Sequence, residues 1–255
     1  MLYVCIPTLD EGPTIGVLLW KIRTLFQEYP REYEVLVYDD ASTDATREVL
    51  EPYAKVMPMT VLGGKARVGY ARAVDALLRE ASQRTRYPRR DAVLLMQGDF
   101  TDLPEGIPEL VKRFEGGADV VVAERTVAET APEAIRKLHG LVRWLPRLWP
   151  IRAAVTVPGV QDPFGTFRLL RITVVRDMLK AGGDRPASTA ETPWQANLEL
   201  LQAAAAQARR IEAVPVATRF DVRERETRRD PWPDVLALAR AAWAARRRRR
   251  PQPVA

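Results

Sequence analysis

The sequence predicts an α/β fold, a mostly parallel sheet with helices on both faces. Three observations predict it. Short unbroken apolar runs recur in the first half of the chain, amphipathic stretches of helical spacing separate them, and polar, acid-rich turns follow the runs. Unbroken apolar strands are those buried on both faces, and a parallel sheet covered by crossover helices buries its strands that way.

In order, residues 2–6 read as a buried strand ending at Pro7, and residues 14–26 follow with Ile15, Leu18, Leu19 and Ile22 on one helical stripe. Residues 33–38 form a second strand, closed by Asp39-Asp40-Ala41-Ser42-Thr43-Asp44. Residues 45–50 open the next helix, with Asp44 as its N-cap. Residues 59–62 are a short strand and 69–80 a helix. Residues 92–96 are a buried strand running into Gln97-Gly98-Asp99. A helix over 104–114 carries proline near its start, and 119–123 is again a strand. Each polar motif falls at the C-terminal end of a strand, where open α/β sheets bind ligands. Residues 1–125 thus read as a nucleotide-binding type of half.

The second half is less regular. A helix rich in arginine and tryptophan is expected over 136–148, an extended stretch over 151–160, and an apolar run over 167–179 that continues into a helix. Residues 194–209 are helical, 211–217 a short strand, 219–229 a charged loop and 232–245 a terminal helix. One domain over 1–230 and a tail over 231–255 are expected.

The 255 residues, 47% hydrophobic and 28% charged, suit one large domain with ample core. No apolar stretch approaches the ~18 residues of a membrane span, and the chain opens directly on a strand-like run without a basic leader. A single cysteine, Cys5, excludes an internal disulfide framework, and a lone His139 excludes a histidine-rich metal cage. Cytoplasmic residence is the expectation. The net charge is +6, but residues 246–250 are all arginine, so the body is nearly neutral and nucleic acid is not an expected partner.

Acidic residues follow three strands: Asp10-Glu11, Asp39-Asp40 and Asp99. Carboxylates gathered at one sheet edge suit binding a ribose and base and holding a divalent metal against a diphosphate. Capping of the following helices accounts for any one of them taken alone.

The residues carry a resemblance. Ile6-Pro7-Thr8-Leu9-Asp10-Glu11 is similar to the "P-x-(N/D)-E" opening of family 2 glycosyltransferases, and Val37-Tyr38-Asp39-Asp40-Ala41-Ser42-Thr43-Asp44-Ala45-Thr46 to their "V-D-D-x-S-x-D-x-T" segment. Met96-Gln97-Gly98-Asp99 stands where that family has "M-D-A-D", and Asp119-Val120-Val121-Val122-Ala123-Glu124-Arg125 resembles "D-V-V-x-G-S-R". Asp162-Pro163-Phe164-Gly165-Thr166-Phe167-Arg168-Leu169-Leu170-Arg171 is similar to the "D-x-x-S-G-F-R-L-x-R" of polyprenyl-phosphate sugar transferases, the dolichol-phosphate mannosyltransferase type. Glu199 and residues 211–215 match that group's "E…I-x-E-V-P".

The resemblance implies a GT-A fold, a Rossmann-like sheet. It places Pro7 and Glu11 in a nucleoside pocket beside Gln97 and Gly98, and Asp39 or Asp40 on base and ribose. It makes Asp99 the surviving acid of a "D-x-D" metal site, with Asp102 or Gln97 completing it around Mg²⁺ or Mn²⁺. Arg125 and Arg168 would face phosphates, and Arg223, with Arg228 or Arg229, would sit in a basic loop over donor and acceptor. The sequence departs from the pattern in three places: Gln97 replaces the first acid, Gly165-Thr166 replaces Ser-Gly, and the basic loop lacks its glycine. Gly63-Gly64-Lys65 is not a P-loop, lacking the upstream glycine and the hydroxyl residue after lysine.

The implied function is inverting transfer of a sugar from a GDP- or UDP-sugar to a polyprenyl phosphate. An anionic phosphate acceptor needs no general base, whereas a hydroxyl acceptor needs a carboxylate, for which Glu191 and Glu199 are the candidates. A soluble hydroxyl acceptor, or a non-catalytic nucleotide-sugar-binding scaffold, remain as alternatives. Trp232, Leu236, Leu238, Ala239 and Trp243, followed by the five arginines, suit an anionic membrane face at ~1 kcal/mol per basic side chain. A core-packed helix with a solubilising end explains the same pattern. Trp144 and Trp149 with Arg143, Arg147 and Arg152 form a second candidate surface.

Overall fold

The computed structural model describes residues 1–127, 155–183 and 185–218, together with the single positions 140, 144, 236 and 240. The helices expected over 136–148 and 232–245, the loop over 219–229 and the tail lie outside the described residues.

The described chain runs β1 (Leu2–Thr8), α1 (Gly12–Glu28), β2 (Tyr33–Asp39), α2 (Thr46–Val56), β3 (Met59–Gly63), α3 (Tyr70–Arg84) and β4 (Ala92–Leu95). A 3-10 turn (Pro104–Gly106) then leads into α4 (Ile107–Glu115) and β5 (Val120–Val127). After the gap come β6 (Arg168–Arg171), α5 (Ile172–Gly182), α6 (Pro193–Ala205) and β7 (Ile211–Thr218). Seven strands make one sheet in the order β3-β2-β1-β4-β6-β5-β7.

Among the described residues the expected strands and helices are present with shifted ends: the helix expected over 194–209 stops at Ala205 and the strand over 92–96 at Leu95, while others run longer where tertiary contacts extend them. The helix expected over 45–50 continues to Val56 through Pro52, and the strand expected to end at residue 123 reaches Val127 along β7. One element differs in kind. The run over 167–179 begins with β6, a four-residue strand antiparallel to both β4 and β5, before α5 starts at Ile172. Four residues show no periodicity that separates strand from helix, so only the partners on either side decide it.

Two apolar layers flank the sheet. Ile15, Leu18, Leu19 and Ile22 of α1, Leu50 of α2 and Leu110, Val111 and Phe114 of α4 pack on one face. Leu77 and Leu78 of α3, Val175 and Met178 of α5 and Leu198 and Leu201 of α6 pack on the other. Cys5 lies in the second layer, and burial pushes its thiol well above the usual range, as suits an inert core residue.

Because β1, β2, β3, β4 and β5 run the same way, their C-terminal ends share one edge, and β6 begins there. Register fixes how closely the ends meet: Thr8 pairs with Asp39, and Asp39 with Gly63. Gly63 closes β3 at φ +120°, where a Cβ would stand 2.1 Å from the Asp39 carbonyl oxygen. Gly63→Ala should therefore cost about 2 kcal/mol or more, read as a lower urea midpoint; an unchanged midpoint would mean the β2–β3 edge relaxes freely.

Candidate active site at the carboxyl edge of the sheet

The edge is built from strained turns. Among the described residues the non-glycine positions with positive φ are Asp10 (51°), Ala41 (58°) and Phe100 (64°). Each lies two to five residues beyond the last residue of β1, β2 or β4. A left-handed backbone costs an L-residue ~1–2 kcal/mol, and such strain collects where the surroundings over-determine it, commonly at functional sites.

The first two turns are stitched together. Backbone N–H groups of Asp10, Glu11 and Gly12 donate to Ser42 Oγ (2.9 Å), Thr46 Oγ1 (2.8 Å) and Asp44 Oδ2 (3.0 Å). In return Asp10 Oδ1 accepts from the Thr43 N–H at 2.8 Å. These are N–H groups at the start of α1 that the helix cannot satisfy itself, and the Ser42, Asp44 and Thr46 side chains satisfy them from the neighbouring turn. Asp44 also accepts from the Thr46 N–H at 3.0 Å, while Ala45 holds the N-cap position of α2. Asp44 was expected as that cap; it bridges two helix starts instead. Burial works to raise its carboxyl pKa, but hydrogen bonds from Thr46 and Gly12 outweigh it and hold the group below the ordinary carboxylate value.

Asp39 and Asp40 are buried. Asp39 Oδ1 accepts from the Ser42 N–H at 3.0 Å, and Arg47 Nε lies 3.4 Å from Oδ2. Asp40 accepts from the Val68 N–H at 2.6 Å and the Gly69 N–H at 3.0 Å, with Arg67 Nε 3.8 Å away. Asp40 thus anchors the approach to α3, and both aspartates carry an arginine to the edge.

The segment after β4 is folded by its own acids. Asp102 Oδ2 accepts from the Gln97 N–H at 2.9 Å, and Asp99 Oδ1 from the Thr101 N–H at 3.0 Å. Phe100 is buried in the core, and the single Thr14 hydroxyl proton lies between two acceptors, Glu11 Oε2 at 2.8 Å and the Gly98 carbonyl at 3.0 Å. Gln97 Nε2 donates to Thr166 Oγ1 at 2.7 Å, which joins this segment to residues 162–168.

Of the expected residues, Pro7, Glu11, Asp39, Asp40, Gln97, Gly98, Asp99 and Asp102 gather here, on strands or turns at one edge. Arg168 is 0% exposed, and its guanidinium donates to the carbonyls of Asn197 (2.7 Å), Pro163 (3.4 Å) and Gly165. It holds the entry into β6 rather than presenting itself to a phosphate. Glu199 accepts from Ser188 Oγ at 2.7 Å and Gln195 Nε2 at 2.8 Å. Two positions along α6 from Asn197, it is ~200° around the helix from that residue. The backbone of Arg125 lies in β5, and Arg223, Arg228 and Arg229 are outside the described residues. Sequence reasoning gave no role to Thr8, a residue 3% exposed whose hydroxyl has no hydrogen-bond partner among the described residues, or to Tyr70 and Asn197, and it marked Thr166 only as a departure from the motif. A lone polar residue in an apolar strand was the available signal for Thr8, and the motif was the signal for Thr166; for Tyr70 and Asn197 there was none.

Of the residues expected around a metal, Asp99 alone is partly exposed; Asp102 and Gln97 are buried and hold the loop. Among the described residues no group of three His, Cys, Asp or Glu side chains is arranged for a metal. The fit is to a cation such as Mg²⁺ that takes one carboxylate and draws its other ligands from phosphate and water.

A doubly covered, mostly parallel sheet with acidic turns at one edge defines a GT-A-like α/β protein. The crystal structure of mannosyl-3-phosphoglycerate synthase from Rubrobacter xylanophilus superposes with a TM-score of 0.64 at 17% identity, covering 100% of this chain and 77% of that one. The family model described as glycosyl transferase family 2 matches residues 3–179, and the chain belongs to that family. It is 29% identical over 174 residues to a bactoprenol glucosyl transferase of Shigella phage SfV, covering 68% of this chain and 52% of that protein. It is 30% identical over 172 residues to a dolichol-phosphate mannosyltransferase of Pyrococcus furiosus, covering 68% of this chain and 46% of that protein. The chain spans about half the length of the curated relatives it matches.

The Asp44 bridge has a pH signature. Its native pKa is depressed, so its contribution is full above the unfolded value near pH ~4 and disappears as pH falls through the native one. The melting-temperature gap between wild type and Asp44→Ala should be constant at neutral pH and close in acid; a gap that persists at pH ~2 would overturn the assignment.

Proposed function

We propose that this chain transfers a sugar from a nucleotide-diphosphate sugar to a polyprenyl phosphate. The observation that carries the reading is Asp99, a partly exposed carboxylate held by the Thr101 N–H in the turn after β4, at the sheet edge where Asp10, Glu11, Asp39 and Asp40 also gather. Membership of a family whose relatives here are named for bactoprenol and dolichol phosphate supports the acceptor class.

In this reading a phosphate oxygen of the acceptor forms a bond to the anomeric carbon. The bond from that carbon to the donor diphosphate breaks, and the electron pair leaves with the nucleotide. The attacking oxygen is already anionic, so no proton has to be removed. Glu199 fits this, since Ser188 and Gln195 hold its carboxylate as part of the scaffold. Thr8 offers a buried hydroxyl to the donor, and Arg47 and Arg67 bring positive charge beside Asp39 and Asp40. Asp99 would hold a divalent cation, which supplies neutralising charge to the diphosphate when bound.

Among the described residues no helix is long and apolar enough to cross a membrane. Access to a lipid-linked acceptor is assigned to the tail, where residues 246–250 would meet anionic headgroups.

The first test is thermal melting with UDP, GDP and their sugar conjugates, with and without Mn²⁺. A ligand at 100 times its Kd stabilises by ~2.7 kcal/mol, and one base should give a shift that Mn²⁺ enlarges. Asp99→Asn should abolish the Mn²⁺-dependent part and lower sugar transfer to polyprenyl phosphate in anionic vesicles by about 100-fold or more. Transfer to soluble hydroxyl acceptors alone would overturn the acceptor assignment; nucleotide binding without turnover would support a scaffold.

A further inference from the structure

Beneath the edge, Thr166, Tyr70 and Asn197 form a closed ring of hydrogen bonds. Tyr70 Oη donates to Asn197 Oδ1 at 2.8 Å, Asn197 Nδ2 donates to Thr166 Oγ1 at 3.0 Å, and Thr166 Oγ1 lies 3.1 Å from Tyr70 Oη. The direction of every bond is determined. Asn197 Nδ2 also donates to the Phe164 carbonyl at 2.9 Å, which fixes the amide orientation. The Tyr70 proton is committed to Asn197, so the Tyr70–Thr166 contact must use the Thr166 proton. Thr166 Oγ1 then has two acceptor positions left. Asn197 Nδ2 fills one and Gln97 Nε2, at 2.7 Å, fills the other.

This polarity bears on residue 97. A hydroxyl whose only proton is spent has nothing to give a carboxylate, and a carboxylate has nothing to give it. In this ring the position next to Thr166 requires a donor. Glutamine supplies one; aspartate or glutamate would set an anionic oxygen against two lone pairs in a buried site, at the cost of a lost bond and an uncompensated charge. We propose that Gln97 is a positioning residue for sugar transfer. Through Thr166 it locks the turn that carries Asp99 to the 162–168 segment, to the start of α3 at Tyr70 and to α6 at Asn197. The ring is why the residue at this position is a neutral amide.

The kinetic arm of the test rests on the glycosyl-transfer reading above; a second arm does not. Gln97→Glu and Gln97→Met keep the length of the side chain but not the donor, and Thr166→Val keeps the shape but not the hydroxyl. Each should lower kcat by about tenfold or more with little change in donor KM, the loss expected when a reacting geometry is misplaced by a fraction of an ångström to 1 Å. Thr166→Ser should retain near wild-type kcat. The double variant Gln97→Met/Thr166→Val should be no worse than the poorer single variant, since both remove the same bond. Gln97→Glu with activity equal to or above wild type and tighter Mn²⁺ dependence would overturn the proposal in favour of a ligand at this position, and so would multiplicative losses in the double variant. The second arm is amide hydrogen exchange, which needs no turnover. Gln97→Met should speed exchange of the amides over 162–168 while the β1 and β2 amides keep their protection. Unchanged exchange over 162–168 would overturn the proposal even if no acceptor is ever found, and an inactive wild type with the predicted exchange change would overturn only the function.

Discussion

A buried charge governs the geometry of this sheet. Arg168 opens the strand that runs against the other six, with its backbone paired to Leu95 on one side and Val122 on the other. A guanidinium at 0% exposure is tolerable only when its donors meet acceptors in good geometry. The carbonyls of Asn197, at 2.7 Å, Gly165 and Pro163 accept from it, and they belong to α6 and to the loop entering β6. Satisfying Arg168 therefore forces residues 163–165 into a tight wrap over the edge and draws α6 against it. The same contacts act together with the β4–β6 pairing and the Gln97–Thr166 and Tyr70–Asn197 hydrogen bonds, which also bring the second half of the chain to the edge formed by the first.

The acids of the edge are used twice over, and mostly for structure. Parallel strands deliver their C-terminal ends, and the helices that follow deliver their N-termini, to the same place. The helix starts present N–H groups that the helices cannot satisfy internally. Asp10, Asp40 and Asp44 each accept a backbone N–H from a different segment, and Asp102 accepts one within its own. A carboxylate doing this is fixed in place and its turn is fixed with it, which is how Asp10, Ala41 and Phe100 are held in left-handed conformations that they would otherwise leave. The same preorganisation suits a site whose chemistry is positioning and charge stabilisation rather than proton transfer.

How much of this was legible in the sequence follows from what kind of signal each feature leaves. Strands β1, β2 and β4 and helix α1 are periodic or uniformly apolar over enough residues to be read directly. The site's place at the strand ends followed from that alternation alone. The motif Asp39-Asp40-Ala41-Ser42-Thr43-Asp44 pointed to the right place but not to its internal division of labour, because a cap and a ligand use the same residue types. Strand β6 was hidden, since its identity comes from neighbours on both sides. The ring was hidden for a stronger reason: Tyr70, Gln97, Thr166 and Asn197 are dispersed through the chain, and although Gln97 and Thr166 stand out as departures from the motifs, nothing in the sequence joins them to each other or to Tyr70 and Asn197. Arg168 was read as phosphate-facing because a motif records which residue is present and not which way it turns.

The departure at residue 97 has an electrostatic side as well as a geometric one. Under the proposed reaction the site must bring a donor diphosphate and an acceptor phosphate together, so each fixed negative charge beside them opposes the encounter. Asp40 has two N–H partners and a guanidinium near it, Asp39 has one of each, and the arginines Arg47 and Arg67 are well exposed at the edge. These pairings spread out the negative charge that the turns need for their shape. A carboxylate at position 97 would add to it where two phosphates must meet. The amide removes that charge and spends its donor on Thr166, so one residue both eases the approach of the phosphates and fixes the turn that carries Asp99.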